Sequence, residues 1–412
     1  MVDVPWASHL PPGMAWSPAD LVAGGSLPAV WAEQWAARPG ERVLWSAGRW
    51  WTAGDLDQGS REVAGRLAGS GLGSGDRMLW STASSVESVL ACVAALRLGA
   101  IVVPANAAYT ERELAHIVAD VRPALAVVDR PEQARWVVAA TAGSGRVPVV
   151  VHPDLSPAGE GGRLTPVAGT ASMERSLDRS GPDQPALVVY TSGTTGAPKG
   201  AVLDHGNLLA GVRSVALAWR WRPDDRLVLG LPLFHVHGLC VGLFGTLAVG
   251  ASAVLVDRFS ADGVLDAAAQ HGGTLFFGVP TMYHRLAVSG RVKELGRLRL
   301  CVSGSAPLPA SLWQRIEAAA GVAIVERYGM TETLLTVSNP YEGDRKPGTV
   351  GLPLPGVEIR VAPDGSLFVR GPSVFAGYWE RPEATEAALD DGWFRTGDVV
   401  TADPDGYLAI RG

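Results

Sequence analysis

Residues 190–200 read Tyr-Thr-Ser-Gly-Thr-Thr-Gly-Ala-Pro-Lys-Gly, YTSGTTGAPKG. They follow the apolar run Ala186-Leu187-Val188-Val189, which has the composition of a buried strand. The stretch gathers glycines at 193, 196 and 200, hydroxyls at Thr191, Ser192, Thr194 and Thr195, and the cation Lys199. Glycine lets backbone N–H groups turn inward around an anion, and the hydroxyls add donors. A buried strand that opens into such a loop is suited to holding phosphate. The bland alternative, a Gly/Ser/Thr linker, does not usually follow a buried strand or end on a fixed Pro-Lys-Gly.

The loop is not a Walker loop, which requires Gly-x-x-x-x-Gly-Lys-Ser/Thr. Ala197 and Pro198 separate Gly196 from Lys199, and Gly200 follows the lysine. A P-loop phosphotransferase is therefore disfavoured.

Bulk properties narrow the class. A chain of 412 residues, 47% hydrophobic and 18% charged, has enough apolar material for about two or three packed domains. The net charge of −6 offers no basic footprint for nucleic acid. No apolar run reaches the roughly 18 residues of a membrane span, and residues 1–20 do not read as a secretory signal. Cys92, Cys240 and Cys301 lie in apolar contexts and read as buried, reduced thiols of a cytoplasmic protein.

Strand and helix patterns alternate from about residue 55 onward, which argues for a parallel, helix-covered sheet. Thr110 and Glu113 have the spacing of a capping box at a helix start. The alternation resumes beyond the phosphate loop, with candidate strands at Leu227–Leu231, Ser252–Val256, Thr274–Val279, Leu298–Val302 and Ala323–Glu326. Beyond Thr349 short alternating runs between Pro/Gly turns suggest a small β subdomain.

Four further motifs stand along the chain: Phe234-His-Val-His-Gly238, Ser303-Gly-Ser-Ala-Pro307, Tyr328-Gly-Met-Thr-Glu-Thr333 and Trp393-Phe-Arg-Thr-Gly-Asp398. Together with YTSGTTGAPKG, their order and rough spacing resemble the adenylate-forming superfamily of acyl-CoA synthetases, luciferase-like enzymes and adenylation domains. The resemblance covers nearly the whole chain. It implies an α/β fold of two helix-covered βα sheet subdomains packed together plus a small β-barrel-like subdomain. Residues 55–220 would form the first βα layer with the phosphate loop, 20–54 and 221–338 the second, and 339–412 the small β subdomain.

The resemblance also implies roles. Thr191, Ser192, Gly193, Thr194, Thr195, Gly196 and Lys199 would contact the phosphates of ATP. Gly304, Ser305 and Ala306 would line the adenine, and Tyr328 would stack on it. Glu326, Arg327, Gly329 and Met330 would complete the nucleotide site. Thr331 would bond the α-phosphate, Glu332 with Thr194 would hold Mg²⁺, and Asp398 would take the ribose hydroxyls. Thr191, Lys199, His235, Thr331 and Glu332 would be the catalytic set. The expected reaction joins a carboxylic acid to AMP, releases pyrophosphate and passes the acyl group to CoA or a carrier-protein thiol.

The residue types suit that chemistry. A carboxylic acid of pKa about 4.3 is already ionised at neutral pH, so the first step needs no general base. The difficulty is bringing one anion up to another, and positioning, N–H donors and Mg²⁺ address it. His235 and His237, two residues apart, would share a strand face, but no His/Cys cluster supplies further ligands at zinc spacing.

His235, Val236, Gly278, Arg285, Arg299, Ser303 and Met330 are the candidate acyl-site residues. Leu227–Val256 carries no charge apart from its histidines until Asp257, which suits an apolar acyl chain. Arg285 and Arg299 lie near the pocket segments, and a buried guanidinium needs an anionic partner, such as a second carboxylate on the substrate. The strings GLPLFHVHGL, FGVPTMYHRL and ERYGMTET resemble malonyl-CoA synthetases specifically. That resemblance points to malonate or methylmalonate, with Arg299 expected on the distal carboxylate. A bulkier apolar or specialised-metabolite acid, or a silent acyl-adenylate-binding partner, are the alternatives. The resemblance implies a small C-terminal domain past the equivalent of Gly412, expected to be missing from these 412 residues, and slow adenylation is the expectation for them alone.

Overall fold

The computed structural model describes residues 6–11, 13–14, 16–141, 147–155, 177–191 and 198–412. Two large sheets and one small sheet make up the fold. The first has seven strands in the order 377–378, 199–204, 185–191, 101–104, 77–81, 125–128, 149–151. Its strands from 185–191 to 149–151 run parallel, and 199–204 and 377–378 are added antiparallel. The second sheet has nine strands, in which 42–46 and 49–52 join 252–255, 226–229, 275–278, 300–303, 325–330, 334–338 and 352–353. A small sheet of 358–361, 366–370, 393–402 and 389–390, extended by 408–410, closes the chain. The fold is α/β with a small β subdomain, as the alternation of patterns requires.

Local chemistry accounts for the main elements. Helix Glu111–Val121 starts on the expected box: the Thr110 N–H donates to the Glu113 carboxylate at 2.8 Å, and the Glu113 N–H returns to the Thr110 hydroxyl at 3.5 Å. The central strands are buried on both faces, hence their continuous apolar runs. Arg97 is wholly buried and joins three segments. Its guanidinium bonds Asp178 at 2.8 and 2.9 Å, and Asp57 and Ser60 at 2.8 Å each. All three cysteines are free and buried.

One local expectation is corrected. Phe234-His-Val-His-Gly238 is not a strand; it is a turn that leads into a π-helix at His237–Phe244 and an α-helix at Gly245–Val249. The chain folds back so tightly that a Cβ on Gly238 would lie 2.2 Å from the Pro232 carbonyl oxygen. The two histidines consequently share no strand face: His235 sits in the turn and His237 opens the π-helix, almost fully buried, and both border one cavity.

Candidate active site

The phosphate loop leaves strand Pro185–Thr191 and re-enters at Lys199–Asp204, with Thr191 opposite Lys199. Ser192, Gly193, Thr194, Thr195 and Gly196 lie outside the described residues. Helix Glu111–Val121 braces the stem of the loop. The Tyr190 hydroxyl donates to Asp120 at 2.6 Å, and His116 Nε2 lies 3.0 Å from the Pro198 carbonyl.

Residues 372–379 stitch this stem to the other sheet. The Asn207 amide donates to the carbonyls of Pro372 and Val374 at 2.9 and 2.8 Å. The Phe375 N–H donates to the Glu332 carbonyl at 2.7 Å, and the N–H groups of Ala376 and Trp379 donate to Val202 and Gly200. Tyr378 completes the seam. Its hydroxyl donates to Glu332 Oε1 at 2.9 Å, and Lys199 Nζ sits 5.1 Å from its ring centre. Burial raises the pKa of Glu332, and the Tyr378 hydrogen bond and the Lys199 charge offset that only in part.

A cavity of about 590 Å³ opens between the seam, the His235 turn and the small sheet. Thr191 and Lys199 line one side, Gly329, Met330, Thr331 and Glu332 the floor, and His235, Val236, Ser305 and Arg327 another wall. Asp398 lines it from strand Trp393–Ala402, where it accepts from the Tyr328 hydroxyl at 2.5 Å. Gly329 allows the floor to form, since a Cβ there would lie 1.9 Å from the Leu334 carbonyl oxygen. His235 Nδ1 accepts from the His237 N–H at 3.2 Å, and burial, then the Arg327 charge, lower the pKa of its imidazole. Among the described residues no group of three or more His, Cys, Asp or Glu is placed to hold a metal.

The profile of the family described as "AMP-binding enzyme" matches residues 31–379. The chain belongs to this family. Among relatives of this AMP-binding enzyme, a malonate–CoA ligase of Arabidopsis thaliana is 35% identical over 87% of the chain and 63% of its own length. The crystal structure of ATP-bound MatB from Rhodopseudomonas palustris superposes with a TM-score of 0.84 at 37% identity, over 94% of this chain and 78% of that one. A malonyl-CoA ligase in a ternary product complex with methylmalonyl-CoA and AMP superposes at 0.76 and 38%, over 98% and 80%. The chain spans 62–64% of the length of the first curated relatives it matches.

Several anticipated site residues of this AMP-binding enzyme stand elsewhere. Arg299 is a correction. It sits at the amino end of strand Leu300–Ser303, roughly 13 Å of extended chain from Ser303, whereas ligands of parallel sheets gather at the carboxyl ends. Its guanidinium is already paired: Nε donates to Asp225 Oδ1 at 2.7 Å, Nη2 to Asp225 Oδ2 and to the Arg220 carbonyl, and the group stacks on Tyr341. Asp225 is fully buried, and hydrogen bonds from Arg299, the Arg222 N–H and Thr274 outweigh that burial and hold its pKa below the usual range. Arg285 is a second correction. It is exposed on helix Pro280–Val288 and lines a separate groove beside His284 and Arg315.

The remaining candidates form the frame behind the wall. Glu326 does not line the cavity; its Oε1 accepts from the Leu308 N–H at 2.8 Å and so fixes the 304–308 turn. Gly304, Ala306, Gly278 and Ser303 belong to that turn and its supporting strands. Gly304 donates its N–H to the Gly278 carbonyl at 3.3 Å, and the Ser303 hydroxyl is buried. Tyr378 was not foreseen, because no local pattern ties it to Glu332.

Two outcomes follow from these placements. Arg299→Ala leaves Asp225 buried and unpaired, which costs about 3–5 kcal/mol of folding stability. Chemical denaturation is expected to show that loss, while the preference among acyl substrates stays unchanged. Burial pushes Glu326 up to about 7. A raised carboxyl pKa means that ionisation opposes folding. The penalty is absent below the ordinary carboxylate range, grows through pH 7 and is complete above it. The stability of Glu326→Gln relative to wild type should therefore climb by the order of 2–3 kcal/mol between pH 4.5 and pH 8. A difference flat in pH contradicts this.

Proposed function

We propose that this AMP-binding enzyme activates a carboxylic acid with ATP, forming acyl-AMP and pyrophosphate, and delivers the acyl group to the thiol of CoA. One observation carries the reading: Thr191, Lys199, Glu332 and Asp398, drawn from three sheets and 207 positions apart at their extremes (398 less 191), line a single cavity. Lys199 and the stem face the β- and γ-phosphates, Thr331 the α-phosphate, and Asp398 the ribose hydroxyls. The acid's carboxylate oxygen bonds to the α-phosphorus as the bond from that phosphorus to the β-phosphate oxygen breaks, and pyrophosphate departs. Lys199 supports the charge that grows on it.

Magnesium fits the residues present. Glu332 offers one buried carboxylate in a cavity whose other lining carboxylate, Asp398, accepts from Tyr328, and Mg²⁺ prefers one or two carboxylates with phosphate oxygens and water. When bound, the ion would neutralise phosphate charge. Glu332→Gln is expected to lower turnover about a hundredfold and to raise the Mg²⁺ concentration needed for half-maximal rate. An unchanged magnesium titration rejects this role.

Malonate or methylmalonate is the proposed acid, supported by the identities of the relatives and by a cavity wall of Val236, His235 and Arg327 that carries one cation. The test is hydroxamate trapping of acyl-AMP with malonate, methylmalonate, longer aliphatic acids and aromatic acids. AMP and pyrophosphate formation with the two diacids preferred is expected. Preference for a bulky acid overturns the substrate, ADP as product overturns the reaction class, and no product with any acid favours a silent adenylate binder.

A further inference from the structure

Tyr378 touches both charged groups on the phosphate side of the cavity. Its hydroxyl donates to Glu332 Oε1 at 2.9 Å, and Lys199 Nζ lies 5.1 Å from the centre of its ring. All three side chains line the one cavity. The tyrosine is itself held from several sides. Its strand, Gly377–Tyr378, pairs antiparallel with the loop stem, and Tyr378 stands opposite Ala201. Its N–H donates to the Thr385 hydroxyl at 2.9 Å, and Phe375 packs edge-on against its ring with the centres 4.8 Å apart. Gly377 brings this strand close to helix Pro382–Ala388, since a Cβ there would lie 2.7 Å from Thr385 Cγ2. Burial, then the Glu332 charge, raises the pKa of the Tyr378 hydroxyl, so it stays a proton donor through the neutral range.

A neutral aromatic residue can serve a carboxylate and an ammonium at once. The hydroxyl gives the carboxylate a charge-assisted hydrogen bond, and the electron-rich ring face attracts the ammonium. Neither contact cancels a charge, so Lys199 stays available to phosphate oxygens and Glu332 to a cation. We propose that Tyr378 is a positioning residue for the adenylation step, seating Lys199 and orienting Glu332 so that the two meet the β- and γ-phosphates and their magnesium. The assignment rests on the adenylation reading above. It also divides the nucleotide site in two. The Tyr378 hydroxyl bonds Glu332 and not Thr331 or Asp398, the residues that face the part of the nucleotide retained in AMP.

The test measures equilibrium binding of ATP and of AMP by calorimetry, with and without Mg²⁺, to wild type, Tyr378→Phe and Tyr378→Leu. Tyr378→Phe keeps the ring and removes the hydroxyl. Its affinity for ATP in Mg²⁺ should fall about tenfold, the loss typical of one hydrogen bond to a charged group. Without Mg²⁺ its affinity for ATP should match that of wild type. Tyr378→Leu removes the ring as well and should weaken ATP about threefold even without Mg²⁺, as expected for a lost cation–π contact. AMP should bind both variants within about twofold of wild type, because its contacts are independent of Tyr378. A merely structural role would weaken AMP and ATP together, and that result overturns the assignment. So does an unchanged affinity of Tyr378→Phe for ATP in Mg²⁺. A wild type that binds AMP but draws no added affinity from the β- and γ-phosphates overturns the adenylation reading itself, and that failure is visible before any variant is made.

Discussion

The seam at residues 372–379 is the constraint on which the site depends. Two helix-covered sheets, each with its own buried core, would otherwise meet only through side chains. Here one extended segment gives N–H groups to both: Phe375 to Glu332 on one side, and Ala376 and Trp379 to the 199–204 strand on the other. Backbone hydrogen bonds are directional and expensive to leave unmade once buried. They tie the phosphate-loop stem to the Glu332 floor through one short segment. Tyr378 gives its hydroxyl to Glu332 and its ring to Lys199, and the two opposite charges share a cavity without a direct ion pair among the described contacts. A direct pair would satisfy the charges with each other and leave little for a nucleotide and its magnesium.

Buried charge is handled in three ways. Arg97 and Arg299 are structural: each is enclosed by carboxylates and polar atoms that compensate it. Glu326 is buried with one oxygen satisfied and is partly neutral near pH 7. Arg327 alone among these stands on a cavity wall with no carboxylate partner among the described residues. The same rule, that a buried guanidinium needs an anion, explains why Arg299 is held by Asp225 away from the cavity.

Much of the architecture was readable from local patterns, because strand runs, the Thr110 capping box and the Gly-rich loop are each set by residues close in sequence. The motif blocks around 235, 305, 330 and 398 indicated which segments meet. What local reading missed has one physical origin, long-range partnership. Arg299 was expected at the substrate because its strand ends at the site, but Asp225, 74 residues away, captures it at the strand's other end. Tyr378 contacts Glu332 across 46 residues, and nothing in its neighbourhood announces that. The two histidines read as strand neighbours because a period of two fits, yet the close approach of Gly238 to Pro232 bends the chain into a turn and a π-helix.

The Arg327 guanidinium lies in the space that a Cβ at Gly304 would take, 2.4 Å from its Nε. A larger residue at 304 is therefore admitted only with a displaced or shortened side chain at 327, so the two positions are sterically coupled although 23 residues part them (327 less 304).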